Sequence, residues 1–278
     1  MPAFICQTCG VQHAPSDDPP ARCEICLDER QYLPHGGQRW TTLDELRAEG
    51  HRSDVRDLEQ GLTGIGAEPK VAIGQRALLV QTTGGNFLWD CLGFIDDVSV
   101  AAVRERGGLK GIAMSHPHFY GVCVEWSQAF EHAPIFIPEA DRRWVMRPDS
   151  AIQSWQRTMS PLPGLTLIQC GGHFEGSAVL HWADGGQGQG ALLTGDSITV
   201  VQDRRFVSFM RSYPNQIPLP ASSIGRIVDS VRPYRFGRIY GGWWDSVVER
   251  DGLGAIERSA ERYIRWIESR ADRGYATD

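Results

Sequence analysis

Short apolar runs, bounded by glycine or acidic residues, recur along the chain from about residue 70 onwards. Runs of this length are typical of β-strands, because a buried strand needs only about four to eight apolar positions. Hairpin loops are predicted at Gly84-Gly85 and at the glycine–glutamine stretch 185–190. The chain before Pro69, including the glycine-rich residues 61–66, predicts turns. We expect strands at 71–73, 77–81, 86–89, 111–115, 134–138, 165–169, 178–182, 191–194 and 238–240.

Helical spacing and capping residues predict a smaller number of helices. Thr42 and Asp96 are placed to cap two of them, and the second helix is expected to run to Val103 before glycines end it. Apolar residues at helical spacing between Leu253 and Ile267 predict an amphipathic helix near the C-terminus. Further helices are expected at 124–130, 141–145 and 217–231.

The composition is that of an ordinary globular protein and argues against several kinds of partner. The chain has 278 residues, enough for one α/β domain and a small appendage, with 41% hydrophobic and 22% charged residues. A net charge of −6 without a basic tract disfavours nucleic-acid binding. No apolar run approaches the ~20 residues of a membrane span, and no signal peptide precedes the first cysteines. We therefore expect a cytoplasmic protein with no membrane partner.

Two histidines one residue apart, His116 and His118, follow the apolar run 111–115. On an extended segment, residues with this spacing point to the same side and can chelate one divalent metal. His173 and Asp196 each follow another apolar run, where loops carry chemistry on a rigid frame. Taken singly, each residue also has an ordinary structural interpretation, such as a core histidine or a turn aspartate. Together, three histidines and a carboxylate predict a catalytic metal with an open position.

This arrangement resembles the metallo-β-lactamase-fold superfamily, whose first motif is His-x-His-x-Asp-His, followed by a Gly-His, a Gly-Asp and a last His. His116 and His118 fit the first two positions of the first motif, His173 fits the Gly-His and Asp196 fits the Gly-Asp. The resemblance covers roughly residues 70–250 and implies a four-layer αββα sandwich, an α/β fold. The two groups of predicted strands, each followed by helices, fit that architecture.

The chain departs from the family pattern at the second metal site. Tyr120 stands where the family has Asp, Gly121 stands where it has His, and residues 239–244 contain no His. The resemblance therefore implies one metal held by His116, His118 and His173, with Asp196 left from the second site. Glu125 or Glu139 can restore a second ion only if the fold brings one of them into the pocket.

Other residues near these motifs have candidate supporting roles. In the resembling family an Asp close to the position of Asp90 helps to hold the metal loop, so Asp90 is expected to support the ligands. Cys91, Cys123 and Cys170 lie in or beside apolar runs and are expected to be small buried residues. Cys123 and Cys170 are also close enough in sequence to His118 and His173 to approach the metal.

Two Cys-x-x-Cys motifs, Cys6 with Cys9 and Cys23 with Cys26, lie at the N-terminus. Two such motifs separated by a short loop predict a tetrahedral thiolate site. Disulfides are the alternative, but an intracellular chain normally keeps its thiols reduced. The loop between the motifs is polar and proline-rich, so a metal must supply much of the folding energy.

The N-terminal segment resembles a zinc ribbon, and it also resembles the rubredoxin-like domain of rubrerythrins, which carries iron and moves electrons. Tetrahedral thiolate suits both metals. We favour structural zinc, because the chain shows no second redox centre that would need an electron. His13 and His35 are expected at the surface. We assign residues 1–38 to this ribbon domain and 39–278 to the metallo-β-lactamase-like domain.

The predicted function is hydrolysis of an ester, lactone, thioester or amide-like bond in a small molecule. Zinc, iron or manganese in the histidine pocket would lower the pKa of a bound water to ~7. Asp196 either completes the ligand set or accepts the proton, and Tyr120 either donates to an oxyanion or fills the lost second site. Trp243 and Trp244 either line the pocket or pack in the core.

Two other classes of function stay open on the sequence alone. One is electron transfer or oxygen chemistry, which would pair a rubredoxin-like iron with a non-haem iron at the histidines. The other is a non-catalytic protein that binds metal or ligand in the same pocket. The N-terminal ribbon is also a candidate surface for assembly into a homo-oligomer.

Overall fold

The computed structural model of the protein describes residues 1–268, which form two large β-sheets, three short strand pairs and seven helices. The helices are α1 Glu24–Leu27, α2 Leu43–Ala48, α3 Asp97–Glu105, α4 Cys123–Ala129, α5 Gly185–Gly188, α6 Ala221–Val231 and α7 Gly252–Glu268, with 3-10 helices at Pro117–Phe119 and Glu139–Trp144. The strands are β1 Ile5–Cys6, β2 Trp40–Thr41, β3 Arg52–Glu59, β4 Leu62–Glu68, β5 Ala77–Thr82, β6 Gly85–Trp89, β7 Gly111–Ala113, β8 Ile135–Pro138, β9 Ile152–Trp155, β10 Thr158–Met159, β11 Leu165–Gln169, β12 Ala178–Trp182, β13 Ala191–Thr194, β14 Thr199–Val200, β15 Val207–Ser208, β16 Met210–Ser212, β17 Ile217–Pro218, β18 Arg238–Tyr240 and β19 Val247–Val248.

The first sheet has seven strands in the order β3-β4-β5-β6-β7-β8-β9, and the second has six in the order β10-β11-β12-β13-β18-β19. Strands β3 to β6 pair as antiparallel hairpins, whereas β6 to β9 run parallel. Parallel neighbours require a crossover, and α3, α4 and α6 supply it between β6 and β7, β7 and β8, and β13 and β18. The loops that follow β7, β11 and β13 lie at the carboxyl ends of strands inside the two sheets.

Three apolar clusters separate four layers. The middle cluster lies between the sheets, where Leu78 of β5 and Leu180 of β12 share one core. Alternate residues of the same strands, Leu79 and Val179, point outward and pack under helices. Helices α3 and α4 contribute to the cluster outside the first sheet, and α6 and α7 contribute to the cluster outside the second. This arrangement is an αββα sandwich, and the predicted α/β fold class is confirmed.

The prediction of turns before Pro69 is wrong, because residues 52–68 form the hairpin of β3 and β4. Gly64 and Gly66 interrupt the alternation of apolar and polar side chains that predicts a strand. Their place in β4 has a steric reason. A Cβ at Gly64 or Gly66 would lie 2.6 or 2.8 Å from the ring of Trp244. The Trp244 indole therefore packs directly on the β4 backbone, where side chains of the strand would otherwise lie.

Three smaller predictions are also corrected. Residues 71–73 form a turn instead of a strand, closed by the Gly74 amide donating to the Val71 carbonyl at 3.0 Å. Residues 217–218 belong to β17, and α6 begins only at Ala221, after the prolines. His118 lies in a 3-10 helix that starts at Pro117, not on an extended segment.

The N-terminal segment is joined to the sandwich by backbone pairing and close packing. Ile5 in β1 pairs with Thr41 in β2, on the far side of the predicted boundary at residue 38. Gly10 packs against Gly93, where a Cβ would lie 2.8 Å from the Gly10 carbonyl. The division into 1–38 and 39–278 stays a prediction, and residues 269–278 lie outside the described part. Among residues 1–268, no helix is both long enough and apolar enough to cross a membrane.

Candidate metal centres

The loops after three strands bring His116, His118, His173 and Asp196 together. His116 and His118 follow β7, His173 follows β11, and Asp196 follows β13, so both sheets contribute. One ligand atom from each residue lies within 4.8 Å of the other three, and all four residues are buried. We call these four residues the His/Asp cluster.

The spacing of the ligand atoms fits one divalent metal ion. His173 Nε2 lies 3.4 Å from His118 Nδ1. Asp196 Oδ2 lies 3.5 Å from His116 Nε2 and 3.8 Å from His173 Nε2. Nitrogen ligands at about 2.0–2.1 Å from a tetrahedral ion stand about 3.4 Å apart. The buried Nε2 of His116 has no hydrogen-bond partner within residues 1–268, as expected of a ligand atom aimed at an ion.

In His116 and His173 the opposite ring nitrogens are held by neighbouring groups, whereas the buried Nε2 of His118 has no hydrogen-bond partner within residues 1–268. His116 Nδ1 lies 2.9 Å from the Ser115 hydroxyl. His173 Nδ1 lies 3.0 Å from the Met210 carbonyl, which can accept its proton. A hydrogen bond donated by Nδ1 leaves the lone pair on Nε2 and fixes the ring direction, which is how metal-binding histidines are usually oriented.

Burial keeps the three histidines neutral. Desolvation lowers the pKa of His116 to about 3 and that of His173 to about 4. Desolvation, with the neighbouring imidazoles, also holds the pKa of His118 well below its usual value. The lone pairs are therefore available to a metal at neutral pH, without competition from protons.

Asp90 supports the first ligand loop from behind. Its Oδ1 accepts a hydrogen bond of 2.7 Å from the Ser115 amide, directly before His116. Burial raises the pKa of Asp90 well above its ordinary value. Gly195 packs closely against the same loop. A Cβ at this position would overlap the Ser115 hydroxyl and lie too close to the His116 ring.

The residues that could form a second metal site are either blocked by the backbone or paired with other side chains. Gly121 has φ +46°, and a Cβ there would overlap the Leu92 carbonyl, so no side chain fits where the family has His. Glu125 lies 2.6 Å from Arg147 Nη1 and 3.1 Å from Gln12 Nε2. Glu139 lies 3.8 Å from Arg142 on the outer surface. Neither glutamate belongs to the His/Asp cluster within the described chain.

The side chain of Tyr120 is buried in an apolar core. It is 3% exposed and belongs to the core cluster that also contains Val124 and Trp126. Its hydroxyl has no hydrogen-bond partner in the described chain, and burial raises its pKa well above the ordinary value. This placement favours the space-filling role over the oxyanion role.

Two of the aromatic rings around the cluster, Phe119 and Phe174, come from residues next to the ligand histidines, and a third, Tyr213, comes from a distant part of the chain. Phe119 lies 4.5 Å from the His116 ring, Phe174 lies 5.1 Å from His118, and Tyr213 lies 6.0 Å from His173. Trp243 reaches the site only through Phe119, at 5.7 Å. Trp244 lies over β4, with the Arg56 guanidinium 4.1 Å from its ring, away from the ligands.

The four N-terminal cysteines form a second candidate metal centre, which we call the four-cysteine cluster. Cys6 Sγ lies 3.6 Å from Cys26 Sγ, and Cys9 Sγ lies 3.8 Å from Cys23 Sγ. Zinc–sulfur bonds of about 2.3 Å place tetrahedral ligands about 3.8 Å apart, whereas a disulfide needs about 2.05 Å. Hydrogen bonds from Cys26, Cys6, Cys9 and His13 hold the pKa of Cys23 well below its usual value.

The positions of the remaining cysteines and histidines test the predictions that Cys123 or Cys170 approaches the metal and that His13 and His35 lie at the surface. All seven cysteines are buried, and within residues 1–268 only the four N-terminal ones join a metal-binding group. Cys123 and Cys170 therefore lie outside both candidate metal-binding groups. His13 was expected at the surface, but it is 7% exposed and packs edge-on against Trp40 at 4.7 Å. His35 is exposed as expected.

Apart from Asp90, the groups that support the ligands are not predicted from the sequence. Ser115 and Phe174 flank the motif residues, so their proximity was a usable signal. Met210 and Arg30 lie far away in the chain, and only the fold brings them to His173.

No protein-family model matches the sequence. The chain is 49% identical over 271 residues to YmaE of Bacillus subtilis (strain 168), described as an uncharacterized protein, with 97% of this chain and 98% of YmaE covered. Among solved structures, the DIM-1 metallo-β-lactamase has a TM-score of 0.57 at 12% identity, covering 76% of this chain and 98% of its own. The FIM-1 metallo-β-lactamase from Pseudomonas aeruginosa, in its mono-zinc form, has a TM-score of 0.55 at 15% identity, covering 76% and 95%. The chain thus belongs to the family of YmaE, and it has the metallo-β-lactamase fold with an added N-terminal four-cysteine cluster.

Proposed function

We propose that the protein is a metal-dependent hydrolase that uses a single metal ion in the His/Asp cluster. The observation that carries this proposal is the convergence of three neutral imidazoles and one carboxylate, whose ligand atoms lie within 4.8 Å of one another. A divalent metal bound there supplies an activated water and a Lewis acid. The similarity to FIM-1 in its mono-zinc form supports a single ion, and so does the lack of space at Gly121.

In this proposal the three histidines are ligands, and Asp196 has one of two roles. Its Oδ2 faces the imidazole nitrogens, and its Oδ1 lies 3.4 Å from the Thr199 hydroxyl. Oδ2 is therefore placed either to complete the ligand set or to take a proton from the attacking water. The Asp196→Asn substitution separates these roles. Loss of a ligand weakens metal binding, whereas loss of a base lowers the rate and leaves the metal bound.

The substrate class proposed is a small molecule with an ester, lactone, thioester or amide-like bond. Phe119, Phe174 and Tyr213 surround the cluster with aromatic surface, which favours an apolar or ring-bearing group beside the scissile bond. Cleavage of a phosphodiester is less favoured, because that reaction usually benefits from two metals.

We further propose that the four-cysteine cluster holds zinc in a structural role. Four buried sulfurs at tetrahedral spacing leave no open position for a substrate.

The proposal is tested by metal content and turnover on the same samples. Protein purified without added metal is analysed for zinc, iron and manganese per chain and then assayed on panels of aryl esters, lactones, thioesters and amides. His116→Ala removes a pocket ligand, and His35→Ala is the matched control at an exposed position. Three results together support the hydrolase. The wild type binds about two metals per chain, His116→Ala binds about one, and only proteins with metal in both clusters turn over a substrate.

The other outcomes reject it in distinguishable ways. Hydrolysis that survives His116→Ala would place the activity elsewhere. Two bound metals without turnover on any panel would favour a ligand-binding protein. Iron at both clusters, with visible thiolate absorption, would favour the redox function.

A further inference from the structure

A single arginine connects the four-cysteine cluster to the His/Asp cluster. Arg30 lies four residues after Cys26, just beyond α1, and its side chain is 1% exposed. Its Nε donates to the His173 carbonyl at 2.6 Å, and its guanidinium lies 4.4 Å from the centre of the Phe174 ring. Charged side chains are buried this completely only where their hydrogen bonds are satisfied.

The guanidinium is fixed at both ends of its fork. Nη1 donates to Asp28 at 2.8 Å, within the N-terminal segment. Nη2 donates to Glu175 at 3.0 Å, on the loop that carries His173. Arg30 thus ties residue 28 to residues 173–175 with charge-assisted bonds, which are the stronger class of hydrogen bond.

The same N-terminal residues also hold the strand that supports His173 from the other side. Ser212 Oγ donates to the Arg30 carbonyl at 3.0 Å, and Asn215 Nδ2 donates to the Glu29 and Gln31 carbonyls at 2.9 Å each. Ser212 ends β16, whose first residue, Met210, faces His173 Nδ1. The backbone of His173 and the partner of its ring are therefore both tied to residues 29–31.

We propose that Arg30 is a positioning residue that makes metal affinity at the His/Asp cluster depend on the metal in the four-cysteine cluster. The inference rests on the proposed metal binding at both clusters. The thiolate-bound metal orders the segment through Cys26, that segment places Arg30, and Arg30 fixes the carbonyl of His173 and the Phe174 ring against His118. Loss of the metal from the four-cysteine cluster then loosens one ligand loop of the pocket without touching a ligand.

The test uses Co²⁺, because cobalt bound to thiolates has a charge-transfer band that cobalt bound to histidines lacks. The full-length wild type, Arg30→Met, Arg30→Lys and Arg22→Met are titrated with Co²⁺, and the two clusters are followed separately in one spectrum. Arg22 is the matched control, since it lies in the same segment but is exposed and forms its ion pair with the exposed Glu24.

We expect Arg30→Met to weaken Co²⁺ binding at the His/Asp cluster by about tenfold or more, the usual cost of losing a group that orients a ligand. The thiolate band should be unchanged. Arg30→Lys, which keeps the charge but cannot reproduce the fork, should lie between Arg30→Met and the wild type. Arg22→Met should behave as the wild type. Wild-type affinity at the pocket in Arg30→Met would overturn the proposal.

Coupling is tested by adding Cys26→Ser to the wild type and to Arg30→Met. If Arg30 transmits the effect, Cys26→Ser weakens the pocket by a similar factor, and the double variant is no worse than either single one. Multiplying factors would mean that Arg30 acts independently of the four-cysteine cluster.

Two remaining outcomes have separate meanings. Cobalt uptake only at the cysteines of the wild type would reject the proposed function before any variant is compared. If Arg30→Met does not fold, Arg30→Lys decides. A weaker pocket with an intact thiolate band supports the proposal, and an unchanged pocket overturns it.

Discussion

The four-cysteine cluster and the His/Asp cluster both gather four buried ligands, but they are built in opposite ways. The cysteines come from one short segment, residues 6–26, whose regular structure is limited to the end of β1 and the start of the single-turn helix Glu24–Leu27. The histidines and Asp196 come from loops after β7, β11 and β13, in two different sheets. The first site lies in a segment with little regular secondary structure, although its cysteines pack in the apolar cluster outside the first sheet, whereas the loops of the second site are fixed by strands of both sheets.

This difference separates two roles that a bound metal can have in a protein. Where the chain alone cannot bury enough apolar surface, metal binding and folding are one event. Where sheets already fix the loops, the metal adds reactivity and only some stability. The following predictions test whether the two clusters differ in this way, beginning with the largest effect.

Cys23→Ser should remove the metal of the four-cysteine cluster and unfold the N-terminal segment, at a cost on the order of 5 kcal/mol or more. Elemental analysis should find one metal fewer, and limited proteolysis should cut within residues 1–38. Cys170→Ser, at a cysteine outside both clusters, should keep both metals. A protease-resistant, metal-free Cys23→Ser segment would contradict the comparison.

Gly121→His should fail to rebuild a second metal site, although it restores the family residue. A side chain there overlaps the Leu92 carbonyl and adopts φ +46°, so the free energy of unfolding should fall by about 3 kcal/mol or more. Chemical denaturation and metal content measure both effects. An extra bound ion in a stable variant would show that the second site was lost only through its ligands.

Gly195→Ala should weaken metal binding at the His/Asp cluster by about 10–100-fold, because the new methyl displaces Ser115 and His116. The metal of the four-cysteine cluster should stay bound, as measured by competition with a chromophoric chelator. Gly225→Ala is the control in α6, where a Cβ meets open space, and it should stabilise the helix by about 0.5–1 kcal/mol. Equal pocket affinity in both variants would contradict the packing argument.

Asp141→Asn should change the pH dependence of the free energy of unfolding. Burial raises the pKa of Asp141 to about 7, from 3.8 in the unfolded chain. Between these values the folded state binds more protons, so the free energy of unfolding falls as pH rises, by at most about 1.4 kcal/mol per pH unit. The amide variant lacks this loss and should be more stable than the wild type above pH 7.

Below about pH 4 the Asp141→Asn variant and the wild type should differ little. Asp141 accepts the Gly176 amide at 2.8 Å, and the amide oxygen of asparagine can do the same. Denaturation midpoints at pH 5 and pH 8 suffice, and parallel curves for Asp141→Asn would refute the raised pKa.

The sequence predicted the parts of the molecule that local chemistry determines. The Cys-x-x-Cys motifs, the His116 and His118 pair and the capping residue Asp96 need only near neighbours, and each takes its place in the predicted cluster or cap. Central strands such as β12 were found because they are continuous apolar runs. The glycine-rich β4 was missed, because its buried surface comes from Trp244, far away in the chain.

The contacts that complete the pocket could not be predicted for the same reason. The burial of Arg30 depends on three hydrogen bonds, and two of these come from residues 173 and 175. Likewise, Gly121 looked like a lost ligand, and only the Leu92 carbonyl shows that the backbone has closed over that position. A pattern in sequence records the type of a side chain, whereas these roles depend on which distant backbone lies against it.

The burial of all seven cysteines also makes this chain a convenient object for labelling. In the native protein, bulky maleimide dyes should find no sulfur to attack, so the number of dyes attached per chain counts how much of the population has opened. A single cysteine introduced on an exposed residue of α3, such as Val98 at 56% exposure, then becomes a unique attachment point for a fluorophore or spin label. Distances from that one probe can follow the N-terminal segment in solution without removing any native thiol.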